Sequence, residues 1–183
     1  MTQFPLHTPE TAPEDARGTL SAVQEKMGFL PNFYAKLATA PAALEAYMTV
    51  SDIFGRTSLT PGEQQTVLLT TAVENKCEFC VAAHSGGARQ AGVAQDVVDA
   101  IRNRSEVPDS RLRALSEFTQ TVVRERGEVG DEGVQRFLDA GFTQQNVLEV
   151  VLGVSLKTLS NYANHIVETP LNKELASFEW KAA

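Results

Sequence analysis

Residues 59–93 read LTPGEQQTVLLTTAVENKCEFCVAAHSGGARQAGV, and this stretch carries the clearest helix signals in the chain. Thr60 can cap a helix that has Pro61 at its first position, and Glu63 completes a capping box. The apolar run that follows predicts a helix, and a second helix carries the cysteines and ends near Gly92. The stretch therefore predicts two consecutive helices, with both thiols near the start of the second.

The rest of the chain has the same helical character. Prolines precede several apolar runs and glycines follow them, as at helix starts and ends. No stretch alternates apolar and polar residues in the way a strand does. We therefore predict an all-α fold, a bundle of eight or nine helices, in a single domain over residues 1–183. An N-terminal arm is expected at about 1–12 and the core motif at 59–92.

The last long helix, predicted over residues 143–168, is apolar around most of its circumference. A helix that is apolar on all sides must be buried on all sides. A domain of this size has few fully interior helices, so contact with a second subunit is the favoured explanation, and a central position in the core is the alternative. We therefore expect a homo-oligomer.

Composition narrows the classes of partner. The net charge is −7 and the isoelectric point is about 5.0, which argues against nucleic acid and anionic membranes, since both require a basic surface. No apolar run approaches the length of a membrane span, and the N-terminus has no basic start or apolar segment of a signal peptide. A cytoplasmic location is expected. In that reducing compartment a C-x-x-C pair is more often catalytic or metal-binding than structural.

The only two cysteines and one of three histidines lie together in the sequence CEFCVAAH. On a helix, Cys77, Cys80 and His84 occupy positions i, i+3 and i+7, on one face. This spacing allows a disulfide between the thiols and brings His84 to the Cys80 proton. The nearby helix start favours a thiolate. A nucleophile, a base and a resolving thiol are the groups needed to reduce a peroxide or a disulfide.

Two further readings of the thiol pair remain open. A C-x-x-C pair with a histidine can bind zinc, but a fourth ligand would have to come from His165, Glu63 or Glu74. The cysteines can also be buried and inert. The adjacent Gly86 and Gly87 cost helix stability, which indicates either a close approach to the helix or a kink.

Residues 59–92 resemble the core motif of the carboxymuconolactone decarboxylase/AhpD-like alkylhydroperoxidase superfamily, in particular its peroxidase-related members. The shared features are a helix that opens with L-T-P, then C-x-x-C-x-x-x-H, then Gly92. The likeness extends over most of residues 25–172, including PNFYAKLATAPAALEAY upstream and NYANHIVETPLN downstream. It implies an AhpD-like all-helical fold that assembles into trimers or hexamers.

The resemblance also implies roles for individual residues. Cys80 would attack the peroxide, Cys77 would resolve the product as a disulfide, and His84 would relay protons. The relay glutamate of the family corresponds to Gln65, an amide that cannot act as a base. Glu63 and Glu74 are the nearest acids that could take its place, although the first can be only a helix cap and the second only a solvated acid.

His165 and Tyr162, in the last helix, are the other candidates for the pocket. We expect a thiol-dependent peroxidase or disulfide oxidoreductase that needs a hydroperoxide substrate and a dithiol reductant, and no bound metal, haem or flavin. The alternatives are a non-redox enzyme similar to the decarboxylase, in which the same pocket works without the thiols, and a module that binds zinc or senses oxidants.

Overall fold

A computed structural model describes residues 3–182, and within that range the chain is 69% helical and has no strand. The predicted all-α fold is confirmed. The described residues form nine α-helices and a C-terminal 3-10 helix: α1 (Glu14–Met27), α2 (Asn32–Leu37), α3 (Pro41–Gly55), α4 (Pro61–Glu74), α5 (Glu78–Gln90), α6 (Gln95–Arg102), α7 (Ser110–Arg124), α8 (Gly130–Asp139), α9 (Gln144–Val167) and the 3-10 helix (Lys173–Phe178).

The predicted start of α4 is confirmed in detail. The Glu63 backbone N–H donates to the Thr60 hydroxyl at 3.3 Å, and the Thr60 backbone N–H donates to the Glu63 carboxylate at 2.8 Å. Pro61 occupies the first turn, where its missing N–H costs nothing. This reciprocal cap fixes where α4 begins, and therefore where its buried face points.

The centre of the bundle is α4, which packs against α5, α7 and α9. Its apolar residues are almost completely buried: Val67, Leu68, Leu69, Ala72 and Val73. Because α5 follows α4 after a short turn, the cysteines at the start of α5 lie beside this core. The position of the thiols is thus set by the most buried helix in the chain.

A glycine allows α9 to approach this core closely. A Cβ atom on Gly153 would lie 2.8 Å from side-chain atoms of Phe54 and Val67, closer than van der Waals contact permits. Both neighbours are buried and have little room to move. Gly153 therefore sets the distance between α9 and the α3–α4 pair, and with it the position of every α9 residue that faces the site.

Gly153→Ala is expected to lower the free energy of unfolding by about 1–3 kcal/mol, because the added methyl group overpacks the core. Gly18→Ala is the matched control: a Cβ there meets nothing within 4 Å, so the change is expected to raise the free energy of unfolding by about 0.5–1 kcal/mol. Urea denaturation measures both values. If the two variants were equally stable, α9 would not be packed as described.

One face of α9 is buried and the other is open. The helix is 24 residues long, and Val150, Gly153 and Leu156 face the core. The opposite face carries large apolar side chains that are 37–71% exposed: Leu148, Val151, Leu159, Tyr162 and Ile166. The central core helix is thus α4, and the described chain leaves half of α9 uncovered. Among the described residues no helix combines the length and apolarity that crossing a membrane requires.

Candidate active site

The two thiols lie where the chain turns from α4 into α5. Lys76 adopts a left-handed backbone conformation (φ 56°), and the Cys77 N–H donates to the Ala72 carbonyl at 3.0 Å, so the turn is compact. Cys77 is the N-cap residue of α5 and Cys80 lies in its first turn. Both thiols are free and buried, at 1% and 2% exposure, and the Cys77 thiol hydrogen-bonds to the Cys80 sulfur.

Helix α9 supplies the polar groups opposite Cys80. The Asn164 side-chain nitrogen donates to the Cys80 sulfur at 3.2 Å. Asn161, one turn earlier, is fully buried, and its side-chain oxygen accepts a hydrogen bond from the side-chain nitrogen of Asn75 at 2.9 Å. Lys157 lies one further turn back and is only 1% exposed. The three α9 residues share one face because they are spaced at i, i+4 and i+7.

The two thiols have opposite acidities. Burial alone would raise the pKa of Cys80, but the Cys77 hydrogen bond, the Lys157 charge and the Asn164 amide outweigh it and lower the pKa to about 5. The same hydrogen bond is the largest cause that raises the pKa of Cys77 far above its ordinary value, and burial is the second. The arrangement therefore holds one thiolate, at Cys80, and one thiol that keeps its proton, at Cys77.

His84 lies on α5, one turn after Cys80, and its ring is fixed by Gln65 of α4. His84 Nδ1 is 3.0 Å from the Gln65 side-chain oxygen, an acceptor, so Nδ1 carries the proton and Nε2 is left as an acceptor. Burial, and then the Lys157 charge, lower the pKa of His84 well below its usual value. The ring is therefore a neutral base with one defined tautomer.

Gly87 makes the contact between α4 and α5 possible at this point. A Cβ atom on Gly87 would lie 2.7 Å from the Gln65 side-chain oxygen that accepts from His84. On the adjacent Gly86, a Cβ atom would lie 3.1 Å from the Phe178 ring. The glycine pair thus allows two side chains to pack closely on α5, Gln65 on Gly87 and Phe178 on Gly86.

The thiolate opens onto a cavity of about 320 Å3. Its polar lining includes Cys80, His84, Gln65 and Lys157, together with Gln90, Ser160 and Glu174. Its aromatic walls are Phe33, Tyr34, Tyr47, Phe79 and Phe178. Burial raises the pKa of both tyrosines, so their phenols stay neutral. A cavity of this kind accommodates an apolar molecule that presents one reactive polar group to the sulfur.

The C-terminal segment closes one side of the cavity. Arg102 of α6 donates to the Phe178 carbonyl at 3.0 Å and to the Glu179 carbonyl at 2.8 Å. It also donates to the Ser85 hydroxyl at 2.8 Å, and the Trp180 indole N–H donates back to the Arg102 carbonyl at 3.1 Å. These bonds hold the 3-10 helix against α5, so Phe178 forms part of the cavity wall.

The two acids proposed for the proton relay lie away from the cavity. Glu63 is used by the α4 cap and by an ion pair in which Arg111 Nε is 2.6 Å from its carboxylate. Glu74 accepts two hydrogen bonds from Arg124, at 2.7 and 2.9 Å. Of the three relay candidates, only Gln65 reaches His84 and lines the cavity.

The α9 residues at the cavity differ from those expected. His165 and Tyr162 lie on the exposed side of α9, whereas Lys157 lines the cavity. The α9 residue beside Cys80 is Asn164, the neighbour of His165 in the sequence. The signal for Lys157 was a single charge within an otherwise apolar stretch of helix, VLGVSLKTL. Among residues 3–182, no three His, Cys, Asp or Glu side chains are grouped as a metal site requires.

The free energy of unfolding is expected to rise with pH between about 6.5 and about 8.5. In that window Cys80 is ionised in the folded chain, where its pKa is about 5, and protonated in the unfolded chain. Its stabilising contribution is complete above the unfolded pKa and is lost as the pH falls towards the folded one. The raised pKa of Cys77 acts only at higher pH, where its contribution is lost as the pH rises.

Cys80→Ser removes this ionisation and is the control for the pH dependence. Its free energy of unfolding is expected to vary less over the same window, measured by urea denaturation at each pH. His84 contributes only below about 6.5, where the unfolded imidazole gains a proton that the folded one does not. Identical slopes for the wild type and Cys80→Ser would contradict the lowered pKa of Cys80.

Fold and site together define a class of protein: an all-α bundle in which a buried dithiol opens onto an aromatic cavity. The family model for the carboxymuconolactone decarboxylase family matches residues 39–121, which include α4, α5 and both cysteines. Over that segment the chain is similar to the carboxymuconolactone decarboxylase family, and its all-α fold is AhpD-like. No protein of curated function matches the sequence.

Solved structures with the same fold extend this likeness to nearly the whole chain. An uncharacterized peroxidase-related protein with an alkylhydroperoxidase AhpD core, from Ralstonia eutropha JMP134, is 26% identical with a TM-score of 0.84, covering 94% of this chain and 93% of its own. A peroxidase-related protein from Silicibacter sp. TM1040 is 20% identical with a TM-score of 0.81, covering 95% and 92%. The debrominase Bmp8, in complex with 2,3,4-tribromopyrrole, is 13% identical with a TM-score of 0.79, covering 97% and 96%. The last two show a shared fold only.

Proposed function

We propose that the protein is a thiol-dependent peroxidase that reduces organic hydroperoxides through Cys80 and Cys77. The observation that carries this proposal is geometric: two free, buried thiols lie together at the start of α5, and the sulfur of Cys80 lines the cavity and accepts from Asn164. The lowered pKa of Cys80 and the raised pKa of Cys77 agree with it. The thiolate is the nucleophilic form of a cysteine, and a protonated partner within hydrogen-bonding distance is placed to resolve the product. The peroxidase-related name of the structural relative from Ralstonia eutropha JMP134 points the same way.

The reaction starts at the Cys80 sulfur. An electron pair of the thiolate forms an S–O bond with the terminal oxygen of the hydroperoxide, and the O–O bond breaks. The leaving alkoxide takes up a solvent proton and departs as an alcohol, so the sulfur is oxidised to a sulfenic acid and the peroxide is reduced. The neutral His84 Nε2 accepts a hydrogen bond from the hydroperoxide and orients it.

Cys77 completes the cycle. Its sulfur attacks the Cys80 sulfenic acid, an S–S bond forms, and the hydroxyl leaves with the Cys77 proton as water. An external dithiol then reduces the disulfide by thiol–disulfide exchange and is itself oxidised. Gln65 holds the His84 tautomer and takes up no proton, since an amide is not a base.

Turnover with a small reductant tests the proposal. The wild-type chain is expected to consume cumene hydroperoxide in the presence of dithiothreitol, with one alcohol formed per peroxide. Decarboxylation of a lactone acid and tightly held zinc are measured in parallel, since they report the non-redox enzyme and the zinc module. Peroxide loss no faster than in buffer, together with either of those two activities, would overturn the proposal.

We further propose that the exposed apolar face of α9 is the contact surface of a homo-oligomer. Leu148, Val151, Leu159, Tyr162 and Ile166 lie along one side of the helix, at intervals of three, eight, three and four residues, with the exposed Ser155 in the longest interval. This is the spacing of a helix that packs against another helix. Five large exposed apolar side chains on one side of a single helix are unusual on the surface of a monomer.

Leu159→Asp combined with Ile166→Asp is expected to convert the assembly into monomers, because each carboxylate would be buried unpaired in the interface. The matched control is Ala42→Asp combined with Ala46→Asp, which adds the same charge to exposed positions of α3. Light scattering after gel filtration measures the mass of each. A monomeric wild type, or an unchanged mass in the α9 variant, would rule out this interface.

A further inference from the structure

Lys157 is a charged side chain in the interior of the bundle. It is only 1% exposed, and it projects from α9 into the same cavity that Cys80 lines. Its ammonium group lies 6.0 Å from the centre of the Tyr47 ring. Burying an ammonium group costs several kcal/mol unless an anion or strong acceptors compensate. An anion or strong acceptors are therefore needed close to Lys157.

Only one buried group near Lys157 can act as its anion. No carboxylate forms an ion pair with it in the described part of the chain. Tyr34 on α2 and Tyr47 on α3 are neutral phenols, and His84 on α5 is a neutral imidazole. Cys77, before α5, keeps its proton. Glu174 of the 3-10 helix also lines the cavity, but its side chain is 33% exposed and forms no ion pair with Lys157. The Cys80 sulfur is therefore the remaining buried group that can carry a negative charge.

We propose that Lys157 is a positioning residue whose charge holds the Cys80 sulfur as a thiolate inside the aromatic cavity. The inference deepens the proposed function and rests on it for the identity of Cys80 as the attacking residue. It explains how the cavity can keep a reactive sulfur although Gln65 is an amide and Glu63 and Glu74 lie away from the cavity, each paired with an arginine. Asn161 and Asn164 follow Lys157 on the same face of α9, so one helix both charges the site and hydrogen-bonds the sulfur.

The rate at which Cys80 is alkylated by iodoacetamide, measured at a series of pH values, tests the proposal. Mass spectrometry of the modified peptide separates Cys80 from Cys77. The wild-type midpoint is expected near pH 5. In Lys157→Met the rate at about pH 6 is expected to fall more than about tenfold, since an unassisted thiol titrates at roughly 8.5. Lys157→Arg, which keeps the charge, is expected to retain most of the rate. Lys173→Met removes a charge from a 92% exposed position and is the control.

An unchanged midpoint in Lys157→Met would overturn the proposal, and so would an equal loss in Lys157→Arg, because then shape and not charge matters. A second measurement needs no variant and covers the case in which Lys157→Met fails to fold. In the wild type, the ratio of the rates with anionic iodoacetate and neutral iodoacetamide is expected to exceed the ratio for glutathione. An equal or lower ratio would also overturn the proposal.

These outcomes are separate from the test of the proposed function. A chain in which Cys80 is alkylated as expected but does not react with hydroperoxide would refute the peroxidase and leave the role of Lys157 standing. A chain that consumes hydroperoxide, but whose Cys80 titrates identically with and without Lys157, would refute the role of Lys157 and leave the peroxidase standing.

Discussion

Cys80→Ser is expected to lower the rate of hydroperoxide consumption at least about 10³-fold, because it removes the nucleophile on which both steps of the cycle depend. A serine hydroxyl is nearly isosteric with the thiol and can still accept from Asn164. It is not ionised at neutral pH, so neither Lys157 nor the Cys77 hydrogen bond can turn it into a comparable nucleophile. The peroxide assay with dithiothreitol measures the effect.

The control for this substitution is a test that the variant is folded. Cys80 is buried, so helix content and urea stability must be compared with the wild type before the rate is interpreted. A folded Cys80→Ser variant that still consumes hydroperoxide at a wild-type rate would place the chemistry elsewhere. If the same variant kept its turnover of a lactone acid, the non-redox activity of the superfamily would be the better description.

Cys77→Ser is expected to stop the cycle after a single turnover. Cys80 keeps a hydrogen-bond donor beside it, so it still attacks the first peroxide. No thiol is then within reach to displace the hydroxyl, and Cys80 remains a sulfenic acid that dimedone traps. Steady-state consumption is expected to fall at least about 10²-fold while the first equivalent reacts normally.

Cys77→Ala is the matched comparison, because it removes the hydrogen bond as well as the resolving sulfur. The loss of that donor raises the pKa of Cys80, so the first equivalent is expected to react more slowly at neutral pH than in Cys77→Ser. Equal first-turnover rates in the two variants would show that the Cys77 hydrogen bond does not tune Cys80. Continued multiple turnover in Cys77→Ser would show that another reductant reaches the sulfenic acid directly.

Local signals in the sequence were sufficient to predict the helices and the central motif. The capping box joins Thr60 and Glu63, which are three residues apart. Because both partners are local, their residue types are enough to predict the contact. Gly92 adopts the left-handed conformation (φ 81°) expected at a helix end. The close approach indicated by Gly86 and Gly87 has definite partners in the structure, the Phe178 ring and the Gln65 amide.

The partners of Cys80 could not be predicted in this way, because they come from α9, more than seventy residues away. Apolar residues lie around most of the circumference of α9, so no single hydrophobic face indicates its rotation. His165 and Tyr162 were therefore as plausible as Asn164, and only the packing of Gly153 on α4 decides between them. Glu63 and Glu74 illustrate the same limit, since each is directed by an arginine on α7.

A count of free thiols before and after one equivalent of hydroperoxide, without reductant, tests the central claim most directly. The chain has two cysteines and both are free at the start. We expect both thiols to disappear together within one chain, and dithiothreitol to restore them. Two thiols still titratable after the peroxide has been added would contradict a redox role for Cys77 and Cys80.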